Sequence, residues 1–222
     1  MPSVCQVYRD ALYEQLARLT KAMAHPKRLM MLDLLVQAPR TVEVLADRVA
    51  MSVASASQHL QVLRAARLVE AEKNGLYVTY RLADETVYTL LQDLRLVAEH
   101  RLAEVEQLRR QVAEESEHLA RLTAADVREC LREGGAVVLD VRPAEEYQAG
   151  HLPGAVPMPL DELESRLAEL PKDRPIVAYC RGEYCLMARQ AVDLLQRHGY
   201  DARYVEEGLR ELAAAGLAVE TV

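Results

Sequence analysis

The sequence predicts two domains of different class, a mainly-α domain with a β-hairpin and a C-terminal α/β domain with a parallel sheet, joined by a long connecting helix. Three observations support this organisation. Apolar residues recur at helical spacing in four segments between residues 4 and 67. Residues 84–122 contain neither proline nor glycine, so a helix can continue through them. From residue 123 onward, strand and helix patterns alternate, which is typical of a parallel sheet covered by helices.

The first 82 residues are predicted to fold as helices followed by a hairpin. Pro26 ends one helix and suits the first turn of the next, and Thr41 is a candidate N-cap for a third. Asn74-Gly75 favours a tight hairpin turn. The predicted helices span residues 4–24, 27–37, 42–49 and 54–67, and the predicted strands span 68–72 and 76–82. This order of elements is that of a winged helix-turn-helix.

Three segments of this domain carry a family resemblance. Residues 24–29, 52–69 and 73–82 are similar to the corresponding segments of the ArsR/SmtB family of bacterial repressors. The resemblance covers about residues 10 to 95. It implies a homodimer that binds double-stranded operator DNA, with an inverted repeat whose half-sites lie about one helical turn apart.

The expected DNA contacts are short polar or basic side chains. On the recognition helix they can approach the major groove, and at the hairpin tip they suit phosphate or minor-groove contacts. Leu60 and Leu63 are expected to face the core. Two alternatives stay open, a solvated helix face for the serines and a cap or packing contact for the histidine. The candidates are Ser55, Ser57, Gln58, His59, Gln61 and Arg64 on the helix and Lys73 and Asn74 on the hairpin.

Charge is divided unevenly along the chain, whose net charge is −7. Residues 1–95 contain 12 Lys and Arg against 10 Asp and Glu, and residues 96–222 contain 15 against 24. The balance is therefore +2 in the first part and −9 in the second. Contact with nucleic acid is expected from the N-terminal part.

The cysteines and the apolar pattern indicate a cellular compartment. The sequence has no apolar run of about 18 residues and no signal-peptide core at its start, so we expect no membrane contact and a cytoplasmic location. Its four cysteines do not form a secreted disulfide framework. Cys5 is expected to be an ordinary thiol or a redox partner, and Cys130 to lie in the core.

The connecting segment has a heptad pattern. Leu91, Ala98, Val105, Val112 and Leu119 recur every seven residues, which indicates a coiled-coil seam. An unbroken helix over 84–122 would span roughly 58 Å. We interpret the first half of this helix as a dimerisation helix and the second half as a stalk that joins it to the C-terminal domain. A bend near residues 109–110 or 114–116 is an alternative that the sequence leaves open. The predicted domains are 1–95, a helical linker at 96–122, and 123–222.

One cysteine of the C-terminal domain has the setting of a nucleophile. The run 175–180 predicts a buried strand whose C-terminal end is Cys180, and a short loop and a helix follow. Backbone N–H groups at a helix N-terminus favour an anion and lower a thiol pKa, so we expect Cys180 to be substantially thiolate. The alternative is a buried cysteine that acts as a small hydrophobic residue. Other strands are predicted at 136–141, 155–158 and 202–205, and helices at 124–132, 145–149, 160–170, 185–198 and 209–215.

Four motifs in this domain, at 136–143, 145–147, 150–155 and 179–180, resemble the rhodanese (sulfurtransferase) family over about residues 122 to 222. The resemblance implies that Cys180 is catalytic and carries a sulfane sulfur as a persulfide, received from a small sulfur-containing anion or a persulfide donor. It also implies that Asp140, Arg142 and His151 shape the scaffold. The loop implied to surround the sulfur consists of Arg181, Gly182, Glu183, Tyr184 and Cys185.

Cys185 departs from the family pattern, in which the last loop position usually holds a polar or basic residue. A second thiol there could attack a persulfide on Cys180 and give a disulfide or a sulfur-bridged link. Such a resolving thiol suits a sensor that changes shape. The alternative is a small residue in the first helical turn.

Metal sensing is the remaining alternative. The helix before the recognition helix has no Cys-x-Cys motif, and the connecting segment lacks a second, suitably spaced histidine. Arsenite bridging Cys180 and Cys185 is conceivable because a soft ion suits thiolates. We expect no metal and no cofactor.

The sequence therefore predicts a DNA-binding repressor whose rhodanese domain senses or transfers sulfane sulfur. The first alternative is a sulfurtransferase enzyme with an accessory DNA-binding domain. The second is an arsenite- or metal-sensing repressor.

Overall fold

The computed structural model describes residues 3–75 and 77–222. The chain divides into two compact units, Met1–Ala103 and Glu104–Val222. The predicted domain bounds at 95 and 122 stay predictions. None of the helices in the described part of the chain is long and apolar enough to cross a membrane.

The first unit contains five helices and a three-stranded antiparallel sheet in the order β1-β3-β2. The hairpin of β2 and β3 closes at the pair Asn74 and Tyr77, and Gly75 has a positive φ of 63°. The strand predicted from residue 76 begins at a residue outside the described part. The elements are α1 (Val4–Met23), α2 (Pro26–Gln37), β1 (Arg40–Thr41), α3 (Val42–Arg48), α4 (Val53–Ala65), β2 (Val69–Asn74), β3 (Tyr77–Leu82) and α5 (Glu85–Arg101).

Short polar side chains cap the N-termini of α4 and α5. The Ser52 hydroxyl accepts the backbone N–H of Ser55 at 3.2 Å at the start of α4. The Asp84 carboxylate accepts the N–H of Thr86 at 2.8 Å at the start of α5. Each bond satisfies an N–H group that has no partner within its helix, which fixes where the helix begins.

The core of the first unit is built on one face of α4. Ala56, Leu60 and Leu63 are fully buried, as predicted for the two leucines, and they belong to one cluster with Met31 and Leu45. Burial of this face leaves the opposite face of α4 in solvent.

The connecting segment is two helices, which corrects the prediction of one helix through residue 122. Helix α5 ends at Arg101, Leu102 is extended with φ −111° and ψ 108°, and α6 spans Ala103–Glu115. No residue of α6 is buried, so this helix gains little stability from packing. Residues 121–122 form a strand that the sequence pattern did not indicate.

The second unit contains a five-stranded parallel sheet in the order β4-β8-β7-β5-β6. Two hydrophobic clusters cover it, one containing the buried face of α10 and the other containing that of α11. The elements are β4 (Arg121–Leu122), α7 (Ala124–Glu133), β5 (Val137–Asp140), α8 (Ala144–Ala149), β6 (Val156–Pro157), α9 (Leu160–Arg166), β7 (Ile176–Tyr179), α10 (Met187–Arg197), β8 (Ala202–Val205) and α11 (Leu209–Ala214), with a short 3₁₀ helix at Leu167–Glu169.

The sheet brings polar groups together at one edge. Asp140 ends β5, Cys180 follows β7 and Glu206 follows β8. Because these strands are parallel, their carboxyl ends meet at the same edge of the sheet, where α/β proteins commonly bind ligands.

Candidate functional site

Cys180 lies where β7 ends, between the sheet and the N-terminus of α10. Its exposed fraction is 1%, whereas Cys185 is half-buried. The five residues 181–185 form a loop in which the N–H of Cys185 donates to the carbonyl of Gly182 at 2.8 Å. Strand, loop and helix therefore follow one another as the sequence predicted.

Backbone N–H groups surround both sulfur atoms. The N–H groups of Gly182 and Ala188 donate to the sulfur of Cys180, and those of Arg181 and Met187 donate to the sulfur of Cys185. Two of these donors belong to the first turn of α10, which has no side-chain cap. The sulfur atoms thus satisfy N–H groups that the helix leaves free, and each bond favours a thiolate.

The Cys180 thiol donates to the backbone carbonyl oxygen of Cys185 at 3.4 Å, and the two thiols are close enough to titrate together. The pKa of Cys180 is raised, first by its hydrogen bond with Cys185 and then by burial. The same hydrogen bond, with the N–H donors of the loop, lowers the pKa of Cys185 to about 6. These pKa directions favour the thiolate on Cys185 and run against the expectation that Cys180 carries it.

Two glycines allow the loop to approach its neighbours closely. Gly182 has a φ of 119°, a conformation that L side chains rarely adopt. A Cβ atom on Gly208 would lie 2.3 Å from the carbonyl oxygen of Arg181. Gly208 precedes α11, and the absence of its side chain lets this segment pack directly on the loop.

A buried polar network holds the strand ends beneath the loop. The Arg142 Nε donates to Asp140 at 2.9 Å, and its terminal nitrogen donates to the carbonyl of Gly150 at 2.6 Å. The Tyr179 hydroxyl donates to the other oxygen of Asp140 at 2.7 Å and accepts the N–H of Leu152 at 3.2 Å. Asp140 and Arg142 are both fully buried, so each charge is neutralised where water does not reach it. Tyr179 directly precedes Cys180.

Glu146 and Arg181 form an ion pair that ties the loop to α8. The Arg181 Nε lies 3.1 and 3.0 Å from the two carboxylate oxygens, and its terminal nitrogen lies 2.6 Å from one of them. Glu146 is fully buried and Arg181 is mostly buried. The sequence motif contains Glu146, but residue types alone did not indicate that it pairs with the loop arginine.

His151 lies in the turn after α8 and makes structural contacts. Its ring stacks on Tyr147 with centroids 3.8 Å apart, and its Nδ1 lies 2.9 Å from the carbonyl oxygen of Tyr147. Its backbone pairs with that of Glu220. These contacts support the scaffold role that the resemblance implied.

The loop residues nearest solvent are Glu183 and Tyr184. Glu183 forms an ion pair with Arg109 of α6, which lies in the same compact unit. The sequence did not indicate this contact between the connecting segment and the loop.

Helix α4 exposes several of the candidate DNA-binding residues. Gln58, Gln61 and Arg64 are exposed, whereas Ser55 and Ser57 are half-buried. The Ser55 hydroxyl accepts a hydrogen bond from Ser52 at 2.9 Å, so this serine takes part in the cap. The exposed side chains are long and carry hydrogen-bonding groups suited to base edges and phosphates.

His59 makes a packing contact with His25. The two rings have centroids 4.4 Å apart and are tilted by 45°. Burial lowers the pKa of His59, and the nearby His25 and Arg28 lower it further. This contact matches the packing alternative for His59.

The hairpin carries the last two candidates. Lys73 is exposed near the end of β2. The backbone of Asn74 ends the strand, and its side chain lies outside the described part of the structure.

The other two cysteines lie on helices α1 and α7. Cys5 is exposed on α1, and Cys130 is half-buried on α7 with its pKa raised by burial. Within residues 3–75 and 77–222, no group of three or more His, Cys, Asp or Glu side chains could hold a metal ion.

Comparisons with known proteins match both halves of the chain. The helix-turn-helix domain family matches residues 23–72, and the rhodanese-like domain family matches residues 123–215. The chain is 43% identical over 212 residues to the HTH-type transcriptional regulator Rv0324 of Mycobacterium tuberculosis, which covers 96% of this chain and 93% of that protein.

Two further relatives match one half each. The thiosulfate sulfurtransferase GlpE of Pseudomonas savastanoi pv. phaseolicola is 32% identical over 94 residues, which covers 42% of this chain and 87% of that protein. The solution structure of the homodimeric winged helix-turn-helix DNA-binding domain of Mb0332 from Mycobacterium bovis is 41% identical, with a TM-score of 0.41, and covers 42% of this chain and 87% of that chain.

The similarity to the regulator extends over both halves in the same order. The chain therefore belongs to the family of HTH-type transcriptional regulators that join an ArsR-like winged helix-turn-helix domain to a C-terminal rhodanese-like domain.

Proposed function

We propose that this regulator is a homodimeric repressor whose affinity for operator DNA changes when its rhodanese domain takes up sulfane sulfur. The observation that carries the proposal is the pair of Cys180 and Cys185, joined by a hydrogen bond from the Cys180 thiol to the Cys185 carbonyl inside a cradle of N–H groups. The similar DNA-binding domain of Mb0332, fragment 1–100, is described as homodimeric, which supports a dimer here.

The DNA-binding part of the proposal rests on α4. Its polar face is exposed, and Gln58 and Gln61 lie one turn apart on it. Two such helices in a dimer would reach successive major grooves of an inverted repeat about one helical turn apart. Lys73 on the hairpin would add a phosphate contact without sequence preference.

The sulfur step begins when a thiolate of the pair attacks the outer sulfur of a persulfide donor. The two thiols titrate together, so the proton of Cys180 can move to Cys185. This transfer leaves the negative charge on Cys180. A bond forms between the Cys180 sulfur and the transferred sulfur, the donor's S–S bond breaks, and the donor leaves as a thiolate. The product is a Cys180 persulfide held by the N–H groups of Gly182 and Ala188.

Cys185 then resolves this persulfide. Its thiolate attacks the Cys180 sulfur, an S–S bond forms between the two cysteines, and the outer sulfur leaves as hydrosulfide. Two cysteine thiols are oxidised to one disulfide, and the sulfane sulfur is reduced to sulfide. The disulfide ends the hydrogen bonding of the reduced pair and changes the loop.

The path from the loop to the DNA-binding domain would run along the chain itself. Glu183 of the loop pairs with Arg109 of α6, and α6 follows α5 after the single residue Leu102. A coupling of about 1–3 kcal/mol, or roughly 5–150-fold in affinity, is typical of such regulation.

A sulfurtransferase enzyme is the second candidate, favoured by the similarity of the C-terminal part to a thiosulfate sulfurtransferase. The pairing of Arg181 with Glu146 weighs against it, since this loop cation is neutralised rather than available to thiosulfate. The resolving thiol also weighs against it, because a disulfide removes the persulfide that turnover needs.

The experiment follows the masses of the loop peptide and the sulfide released after a persulfide donor is added. The wild type is expected to lose two hydrogens by forming the disulfide and to release one sulfide per chain. Cys185→Ser is expected to stop at a Cys180 persulfide, with a gain of one sulfur. Continuous turnover of thiosulfate with cyanide by the wild type, without disulfide formation, would favour the enzyme.

A further inference from the structure

A cleft in the second unit lies between the reactive loop and helix α6. Its volume is about 580 Å³, within the range of roughly 300–1,000 Å³ that is usual for small-molecule sites. Glu183, Tyr184 and Leu186 of the loop line one wall. None of the described residues that line the cleft is a cysteine, so it is separate from the thiol pair.

Part of the lining of the cleft is apolar. Leu108 of α6 is 61% exposed, and Tyr184 and Leu186 are 49% and 39% exposed. Val105 and Val112 lie three and four residues from Leu108, and all three line the same wall. Apolar side chains from two elements therefore face one solvent-filled space, and burying them against an apolar ligand would be favourable.

The lining also has surplus positive charge, with four arginines against three glutamates. Arg121 and Arg189 both pair with Glu206, at 2.5 and 2.6 Å, so one carboxylate serves two guanidinium groups. The remaining arginines of the cleft, Arg109 and Arg110, each have a glutamate of their own. An anion placed beside Arg121 and Arg189 would balance the extra positive charge.

Arg189 also has an unused hydrogen-bond donor. Its Nε is buried and has no hydrogen-bond partner among the described residues, although its side chain packs on the ring of Tyr204. A buried N–H group without an acceptor is unfavourable, and a ligand oxygen would supply the acceptor. Arg189 lines the cleft together with Arg121, so the unused donor belongs to the same pair of arginines that shares Glu206.

We propose that this cleft binds an organic anion with an apolar body. A carboxylate or sulfonate group would contact Arg121 and Arg189, and the apolar body would lie along Leu108, Tyr184 and Leu186. The site is distinct from the sulfur chemistry and does not depend on it. Because Tyr184 and Leu186 flank Cys185, a bound ligand would touch both neighbours of that thiol.

The test is calorimetric titration of the full-length protein with 1-naphthalenesulfonate, which combines an aromatic body with an anionic group. We expect saturable binding of one molecule per chain. Sulfate alone and 1-naphthalenemethanol alone are each expected to bind at least about tenfold more weakly, since each lacks one half of the recognised chemistry.

Two variants and a matched control locate the site. Arg189→Gln and Leu108→Gln are each expected to weaken binding by about tenfold or more. The first variant loses a charge-assisted hydrogen bond, and the second loses apolar contact. Arg197→Gln removes another ion-paired arginine of α10, outside the cleft, and is expected to leave binding unchanged. Leu108 is exposed on α6, so its variant tests the site even if Arg189→Gln does not fold.

No saturable binding by the folded wild type, or binding unchanged in both cleft variants, would overturn the proposal. Equal affinity for sulfate and naphthalenesulfonate would overturn the assignment of an apolar body.

Discussion

The two loop cysteines act as one titrating group. Because Cys180 is the more buried and interacts directly with Cys185, the negative charge of the pair is favoured on Cys185, whose pKa is lowered to about 6. Cys185 is also the less buried residue of the two, and contact with water stabilises a charge. In the proposed reaction the Cys185 thiolate takes the proton of Cys180, Cys180 attacks the donor, and Cys185 then resolves the persulfide.

The rate of alkylation should report how much of Cys185 is thiolate. We expect iodoacetamide to modify Cys185 in the wild type with a pH midpoint near 6. In Cys180→Ala the hydrogen-bond donor is lost, so the pKa of Cys185 rises and less thiolate is present at any pH below that value. The rate at pH 6.5 should therefore fall, measured by mass spectrometry of the loop peptide. A wild-type midpoint above 8, unchanged in the variant, would contradict the coupled titration.

The buried pair of Asp140 and Arg142 should be essential to the stability of the second unit. Asp140→Ala leaves the guanidinium of Arg142 buried without its carboxylate, which costs about 3–5 kcal/mol. The measurement is the free energy of unfolding in urea, followed by a signal from the second unit. Asp201→Ala breaks a solvent-exposed pair with Arg203 and serves as the control, with an expected cost of about 1 kcal/mol or less. Equal costs for the two variants would refute the structural role.

At the scale of elements, α4 and the hairpin are expected to contribute differently to DNA binding. Gln58→Ala should reduce the preference for the operator over unrelated DNA, because a base-edge contact is worth about 1–3 kcal/mol. Lys73→Ala should weaken binding to all sequences alike and reduce the salt dependence by about one counterion. Fluorescence anisotropy on a duplex selected from a random library would measure both. If neither substitution changed affinity, the recognition surface would lie elsewhere.

Most elements could be predicted because their ends carry local signals. The threonine before α3, the proline that begins α2 and the continuous apolar runs of β5 and β7 each act through nearby residues. The break at Leu102 carries no such signal, since leucine favours a helix and no proline or glycine is near. Without a local signal, a continuous helix through this position would need support from packing. The exposed residues of α6 provide little packing.

The candidate sulfur site could be predicted only in part for a similar reason. A strand that ends at Cys180, followed by a loop and a helix, is visible in the sequence. The partner of Arg181 and the location of the negative charge depend on contacts between distant segments, namely the buried Glu146 of α8 and the N–H groups that reach each sulfur. Residue spacing does not contain this information.

At the scale of the whole molecule, a winged helix-turn-helix unit is followed along the chain by a rhodanese-like unit. The chain shares this arrangement with a full-length transcriptional regulator, so both parts belong to one regulatory protein. We expect a change at Cys180 to alter DNA affinity, because α6 carries a contact with the reactive loop and continues into α5 through Leu102.

The most direct test of this coupling is the anisotropy of a labelled operator duplex with and without a polysulfide donor, for the wild type and for Cys180→Ser. The account predicts a shift in affinity of roughly 5–150-fold that occurs only in the wild type. Equal affinities with and without the donor, in wild-type protein whose Cys180 is shown by mass spectrometry to be modified, would contradict it.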